Sequence, residues 1–518
     1  MAACPELSVL RTPGVSRSRC AGPERDTAPL VVIPQLAPGI TRALAVPLIC
    51  GLVAGCAVGP DYVKPKVDTP QEYRFAEKDV QDTANTEWWK QFDDPVLDQL
   101  IAEALANNKN VKIAAANVEQ AAGALMQTRS QFFPQVNYSA SATRQRASEI
   151  AGIPLTGAVI KNPSTTYEAL AGASWEIDLW GRIRRLTEAA RANLLATEQA
   201  RRGVVLSLVA QVASTYLQLR GLDAQLEISN RTLASYAKTV QLFELQYKYG
   251  QVPRMNVEQA RSSYETAASQ IPQIESQIAQ TEDALSVLLG RNPSAIPRGK
   301  SIDALSSPPV PAGLPSQLLG RRPDIAQAEQ SLIAANAQIG AAKALYFPTI
   351  SLTGAFGNQS TDLSKLFSGP SQVWSFAGQV TGPIFTGGAI KGQVAQATAA
   401  QKAELLNYEL TIQNAFADVD NSLVARQKLL QQQAAQERLV KALSEYERLA
   451  TLQYKGGVTP YSTVLQAQQG LFPQELSLAQ TRFAAHNALV NLYKATGGGW
   501  VDIAQNIAEP PPAKASMK

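Results

Sequence analysis

The sequence predicts a mainly α-helical chain with a small share of β-structure, built by duplicating one helix-strand-strand-helix unit. Three observations lead there. First, the chain repeats itself at a spacing of 207 residues. Tyr247-Lys248-Tyr249-Gly250 recurs as Tyr454-Lys455-Gly456-Gly457, Leu288-Leu289-Gly290 as Ala495-Thr496-Gly497, and Leu179-Trp180-Gly181-Arg182 as Thr386-Gly387-Gly388-Ala389. A repeat this long is a duplicated half-structure rather than a solenoid unit. Second, proline is absent between Pro163 and Pro253 and again from Ile384 to Thr459, within stretches of helical periodicity. Third, four short segments alternate apolar and polar residues with the period of a strand.

The elements follow in chain order. Residues 1 to 30 fit neither a signal peptide nor a domain and read as a start site placed too early. Arg42 then precedes a short apolar run, Ala43 to Val53, too short for a permanent membrane helix. The run ends in Leu52-Val53-Ala54-Gly55-Cys56, which resembles the bacterial lipobox, with Cys56 as the lipidated residue. If Cys56 becomes the first residue, Cys4, Cys20 and Cys50 are removed. No disulfide framework or cysteine metal site is then possible.

A helical stretch from Asp98 to Ser130 leads to Phe132-Phe133-Pro134. That site pairs with Tyr346-Phe347-Pro348 at 214 residues, seven more than the other matches. The first copy is therefore longer between the Phe-Pro site and Gly181, and the polar stretch Ser148 to Thr166 is expected to hold the difference as a loop. Strands are expected at about 134–147 and 167–180, then at 348–358 and 373–386. In the second of these, Tyr167, Ala169, Ala171, Ala173, Trp175, Ile177 and Leu179 share one face. Glu168, Gly172, Ser174, Glu176 and Asp178 lie on the other. Both a membrane barrel and a half-buried soluble sheet fit that alternation.

The long helices are expected at about 182–249 and 389–455. In the first, Leu208, Val212, Thr215, Leu219, Leu222, Leu226, Ser229, Leu233, Tyr236, Val240, Phe243 and Tyr247 form a coiled-coil seam. At 1.5 Å per residue that helix is roughly 100 Å long. The second seam, through Phe416, Val419, Leu423, Leu430, Leu443 and Tyr446, is less regular. Return helices run to Leu289 and to Ala495, each about half the length of its neighbour, and the segment Asp324 to Leu345 supplies the upstream helix of the second copy. Short helices stacked end to end beside a long one make a rod of antiparallel pairs.

Four strands cannot close a barrel, and an open edge in lipid leaves backbone groups unpaired. If the strands enter a membrane, the chain must oligomerise. Two chains would give a barrel nearly filled by side chains, and three would give 12 strands around a passage; spacing alone does not choose. The formal charge of +4 leaves no nucleic-acid footprint. The only histidine, His486, lies in a helical segment, and no metal-ligand spacing, nucleophile elbow or phosphate loop is present, so no catalytic residue, metal site or cofactor is expected. Arg182, Arg184 and Arg185 read as a boundary marker beside the strands, and Arg201-Arg202 as solvated helix surface. Met126 and Met255 are the only internal methionines of the processed chain, which disfavours a copper relay.

Several motifs together carry a resemblance. Leu52 to Tyr62, Trp88-Trp89-Lys90-Gln91-Phe92 with Asp94-Pro95, Arg321-Arg322-Pro323-Asp324-Ile325, and Tyr493 to Trp500 closely resemble the lipoprotein branch of the outer-membrane factor family, the OprM- and NodT-like relatives of TolC. The resemblance covers essentially residues 50 to 500. It implies a homotrimer with a 12-stranded transmembrane β-barrel, an equatorial region and a long periplasmic α-helical barrel. It also implies docking through a periplasmic membrane-fusion adaptor to an inner-membrane RND-type pump, with the outer-membrane lipid as the surrounding partner. The chain would then be a passive exit duct for drugs or other small toxic compounds. A TolC-like exit for type I protein secretion shares the architecture, and a coiled-coil periplasmic scaffold is the alternative of another class.

On this reading the chain divides into 1–55 (spurious extension and signal peptide), 56–95 (lipidated extended segment), 96–290 (first repeat), 291–318 (Pro-rich equatorial linker), 319–497 (second repeat) and 498–518 (tail). The resemblance places adaptor-docking tips at Tyr249, Gly250, Gln251, Val252 and Pro253 and at Gly456, Gly457, Val458, Thr459 and Pro460. Tyr461, Ser462, Thr463, Gln466 and Gln469 fall where relatives carry the periplasmic gate, but the aspartates common there are replaced by Thr463 and Gln466. Glu168, Glu176 and Asp178 are expected to line the barrel lumen.

Overall fold

A computed structural model of the chain describes residues 57–70, 72–75, 87–146, 148, 162–307, 310 and 315–497. The readings for 1–55, Cys56 and 498–518 lie outside the described residues. The elements are α1 (Pro95–Asn107), α2 (Lys109–Ser130), β1 (Gln135–Gln145), β2 (Ser164–Ile177), α3 (Arg182–Lys248), α4 (Arg254–Leu288), α5 (Pro315–Arg321), α6 (Pro323–Ala344), β3 (Thr349–Ser360), β4 (Gln372–Thr381), α7 (Ala389–Lys455) and α8 (Tyr461–Ala495).

The duplication is carried in the lengths of three helix pairs. Both long helices, α3 and α7, have 67 residues, both return helices have 35, and α2 and α6 have 22 each. The seven-residue difference lies between the paired strands, where 18 residues join β1 to β2 and 11 join β3 to β4. That expected loop is shorter than its sequence reading, because Ser164 to Thr166 already belong to β2. The second and fourth strands end earlier than expected, at Ile177 and Thr381, and the residues that follow turn into α3 and α7.

The stretch Asp98 to Ser130 is two helices rather than one. Asn108 breaks it: its Oδ1 accepts from the backbone N–H of Asn110 and Val111, capping α2, and its Nδ2 donates to the carbonyl of Leu288 at 2.7 Å. The second copy repeats this joint with different chemistry. Arg322 precedes α6, and its Nη1 donates to the carbonyl of Ala495 at 3.2 Å. Gly290 and Gly497 follow the two return helices with φ of +78° and +67°, a region that disfavours any Cβ. The family-like Arg-Arg-Pro-Asp motif is thus an equatorial joint, with Arg322 also paired to Asp324 at 2.6 Å and Asp418 at 3.1 Å.

The largest core lies at this equator. Trp88, Trp89 and Phe92, in a short 3-10 turn, are almost fully buried, and Trp88 stacks on Tyr493 at 5.1 Å. Asp94, fully buried, accepts from the N–H of Val96 and of Lys300 and from the hydroxyl of Tyr216 at 2.6 Å. Of segment 56–95, the described residues 57–70 form no helix or strand, and Trp88–Phe92 form the short 3-10 turn. The linker 291–318 likewise contains a short turn at Ile302–Ala304 and the start of α5.

Helix packing sets the order around the rod. On the strand side the order is α2, α3, α6, α7; on the far side it is α4, α3, α8, α7. The first seam packs as its periodicity requires, with Leu208, Val212, Leu219, Leu222, Ser229, Tyr236 and Phe243 buried, although Tyr247 at its end is exposed. In the second, Val419 and Leu423 are buried, while Leu430 and Tyr446 are exposed. Tyr446 lies off the inward face of α7, which there passes through Gln433, Gln436, Val440, Leu443 and Glu447, whereas Leu430 borders a pocket with Arg482, Ala485 and His486 of α8.

Candidate duct surfaces: the strand sheet and the helical tips

The four strands form one antiparallel sheet in the order β1-β2-β3-β4. Directly opposed residues share a face. The register sets Tyr138 against Ala171, Ala171 against Phe356, and Phe356 against Trp374, so the apolar residues of all four strands lie on one face. Tyr138, Trp374 and Phe376 are 90%, 70% and 80% exposed there, an open apolar face of the kind that marks a membrane or protein contact. The opposite face carries Ser139, Ser141, Glu168, Ser174, Glu176, Ser351, Gln359, Ser375 and Gln379. Outer strands β1 and β4 each have an unpaired edge within the chain.

Of the expected lumen residues, Glu168 lies on the polar face and accepts from Nε2 of Gln359, its cross-strand partner, at 2.7 Å. Glu176 shares that face and pairs with Arg182 at 2.7 Å. Asp178 is corrected: it lies beyond β2, and its carboxylate accepts from the N–H of Ile183 and Arg184. Its work is to cap α3, where an anion also meets the positive end of the helix dipole. Close by, Trp180 donates to the carbonyl of Pro348 at 2.7 Å and stacks on Phe347, tying the two copies at the strand-helix boundary.

The start of the described chain is fastened at the same level. Val58 donates from its N–H to the carbonyl of Trp180 at 3.1 Å. A Cβ on Gly181 would come within 2.9 Å of Ala57. Arg185, buried, donates to the carbonyls of Val58 and Gly59 and pairs with Asp61 at 2.7 Å. The arginines after Trp180 thus hold the strand-helix junction and the N-terminal strap through ion pairs.

The two tips share one backbone design. After α3, the N–H of Gly250 bonds to the carbonyl of Tyr247 and that of Gln251 to Gln246; after α7, Gly457 bonds to Tyr454 and Val458 to Gln453. This double bond is the Schellman motif, which requires a left-handed residue, and Gly250 and Gly457 supply it at φ +70° and +72°. Pro253 and Pro460 are the N-cap residues of α4 and α8. The tips differ in side chains: Tyr249 is 69% exposed where the other copy has Gly456, and Val458 is 75% exposed where the first has Gln251. Val252 packs against the tip core, and Thr459 occupies its place in the second copy.

The residues expected at the gate divide into two sets. Ser462, Gln466 and Gln469 are exposed along one face of α8, and Thr463 is half-buried beside them. Tyr461 is corrected: it lies in the core of the tips, 4.3 Å from the ring of Phe243 and 5.6 Å from that of Tyr454. Burial, with Tyr454 beside it, pushes its hydroxyl up to about 12. The spacing of Tyr461, Val464, Gln468 and Phe472, an inward helical stripe, was the signal that separates it from the exposed set. His486 is half-buried near Phe92, and its ring is held down to about 4, first by burial and then by Arg426, with Asp303 acting the other way. Among the described residues no group of three or more His, Cys, Asp or Glu side chains is placed to hold a metal ion.

The family model for outer membrane efflux proteins matches residues 100–291 and 314–498. The chain belongs to the outer membrane efflux protein family. The probable efflux pump outer membrane protein TtgC of Pseudomonas putida is 38% identical over 459 residues, covering 87% of this chain and 94% of that protein. The cation efflux system protein CusC of Escherichia coli is 36% identical over 455 residues, 86% of this chain and 97% of that one. Among solved structures, the open state of the MtrE outer membrane channel of Neisseria gonorrhoeae aligns with a TM-score of 0.77 at 32% identity, over 86% of this chain and 99% of that chain. The outer-membrane channel OprN aligns at 0.79 with 28% identity, over 86% and 100%. In this efflux protein the sheet is one chain's share of a β-barrel, and the long helices are its share of an α-helical barrel.

Proposed function

We propose that three copies of this chain close into an outer-membrane channel-tunnel that serves as the passive exit duct of a tripartite efflux pump for small toxic compounds. One observation carries this. The unpaired edges β1 and β4 lie at the two ends of the sheet, and α2 with α4 and α7 lie at the two ends of the helical layers, so every layer is open on the same two sides. Such a protomer is completed head to tail by another copy of itself, and a rotation that closes makes a ring. Three copies give 12 strands, wide enough for a polar passage. The chain supplies a conduit rather than a catalyst, and the energy comes from a partner. The tips at 249–253 and 456–460 would meet a periplasmic adaptor, and Ser462, Thr463, Gln466 and Gln469 would line a neutral mouth.

A covalent lipid on Cys56 fits this placement, because the next residue, Ala57, packs at the strand-helix boundary beside Gly181. The names of the relatives favour small-molecule efflux over protein secretion. A copper relay is not favoured, since Met126 and Met255 sit near opposite ends of the helical rod. Detergent-extracted oligomers fused into planar bilayers should give discrete single-channel conductance, and deletion of the chain should raise sensitivity to small toxic compounds. A salt-released monomer without conductance would overturn the proposal.

A further inference from the structure

The 11 residues that join β3 to β4, at the end of the sheet away from the helices, fold into a loop with two 3-10 turns, Leu363–Lys365 and Gly369–Ser371. The backbone N–H groups of Lys365, Leu366, Ser368 and Ser371 bond to the carbonyls of Asp362, Leu363, Lys365 and Ser368. The hydroxyl of Ser371, a buried residue, donates to the carbonyl of Leu366. A loop that meets its own hydrogen-bonding needs can sit at the edge of a hydrocarbon layer without stranding them. Its apolar side chains are divided. Leu366 is buried, while Leu363 and Phe367 are 61% and 81% exposed.

The loop leans toward the apolar side of the sheet. Asn358 follows Phe356 by two residues and so stands on the same face, opposite Gln372. From there its Nδ2 donates to the carbonyl of Leu366 at 2.9 Å, which draws the loop outward over the strand end. The apolar face on β2 runs from Tyr167 to Ile177, about 34 Å along the strand, or about 25 Å of height at the usual barrel tilt, the full apolar band of such barrels. On β3 and β4 it runs only from Ile350 and Val380 to Phe356 and Trp374, about 20 Å along the strand, or about 15 Å of height. The two start level, because Ile177 faces Ile350. At the upper end Tyr167 of β2 faces Ser360 of β3, with Asn358 and Gln372 just below, so the band is short by about 10 Å there. The loop drawn over that gap carries Leu363 and Phe367.

We propose that the β3–β4 loop is a lipid anchor, which folds outward and sets Phe367 and Leu363 at the boundary between headgroups and acyl chains of the outer leaflet, completing the apolar band above β3 and β4. The occupant is lipid rather than a second copy of the chain, because the loop continues the apolar face of the sheet, whereas the copy-to-copy contacts of the proposed ring run along the β1 and β4 edges. Small apolar surfaces of this kind bury themselves at that boundary. The loop then fixes the depth of the barrel from the end opposite the N-terminal strap. The inference rests on the sheet standing in the membrane, as the proposed function requires.

Phe367→Cys, at a mostly exposed position, can carry an environment-sensitive fluorophore, and single-channel conductance of the labelled protein reports its folding. Phe376→Cys on β4 and Val458→Cys at the tip, at positions 80% and 75% exposed, are the lipid and water references, with the labelled wild type as background. In vesicles of phosphatidylcholine and phosphatidylglycerol, a nitroxide near the top of the acyl chain should quench the label at 367 at least about twofold more than the label at 458, and iodide in the buffer should do the reverse. With 376 reporting lipid, a label at 367 that iodide reaches as it does at 458 would put the loop in water, and one that neither quencher reaches would put it under protein; either result overturns the inference alone. A label at 376 that the nitroxide fails to quench would take the sheet out of the membrane and overturn the proposed function as well.

Discussion

The two copies have equally long α2 and α6, α3 and α7, and α4 and α8, and the same tip turns, yet they hold their return helices by different chemistry. On the inward face of α3 stand Leu219, Leu226, Val240 and Phe243; at the matching positions α7 carries Arg426, Gln433, Glu447 and Ala450. Apolar contacts have no equivalent in water, whereas hydrogen bonds such as Gln436 to Ser477 at 3.0 Å can be exchanged for bonds to solvent at small net cost. The contrast predicts that the first copy is the more rigid half of the protomer and that water loosens the packing of the second more readily.

The largest test of that contrast is Phe243→Ala. Phe243 is fully buried at the meeting of both tips, and its counterpart is already alanine at position 450. Truncation should cost about 3–5 kcal/mol, read as a lowered unfolding midpoint. Ala450→Gly, at the matching place, should cost much less.

The second is acid sensitivity, which the account assigns to the second copy, since His486 has Ala279 as its counterpart. The folded imidazole titrates near 4, well below the unfolded value near 6.5, so between these the unfolded chain binds the proton and the folded chain does not. Stability from the neutral ring is complete above about pH 6.5 and is lost as pH falls toward 4, by up to about 3 kcal/mol. His486→Gln should flatten the pH dependence of the unfolding midpoint across that window, and an unchanged slope would remove His486 from the account.

Gly250→Ala and Gly457→Ala probe what the copies share. Both positions are left-handed with nothing within 4 Å of an added Cβ, so only the backbone is strained. Each should cost about 1–2 kcal/mol, and equally, by equilibrium unfolding. The smallest effect is expected from Gln436→Leu, which replaces a polar seam contact by an apolar one. Its stability should stay within about 1 kcal/mol of the wild type, while hydrogen exchange along α7 and α8 slows.

Much of this was legible in the sequence because helix breaks need particular residues. Gly250 and Gly457 fixed the 207-residue period, and the alternation of Tyr167 to Ile177 set the faces of the sheet before any register was known. The break at Asn108 was not legible in that way. No glycine or proline marks it, and the consecutive Asn107-Asn108, good capping residues, were the only local sign. The side that Tyr461 faces is not legible either, because a position near a mouth does not say which face of its helix it lies on. Tyr446 misled for a related reason: α7 changes from an apolar to a polar inward face partway along, so its most hydrophobic residues no longer mark the seam.

Electron cryomicroscopy of the full-length chain purified from outer membranes into lipid tests the central claim most directly. The account predicts a three-fold ring in which β4 of one copy pairs with β1 of the next, giving 12 continuous strands, while α7 of one copy closes against α2 and α4 of its neighbour. A monomer, or a ring that leaves the β1 and β4 edges open, would contradict it.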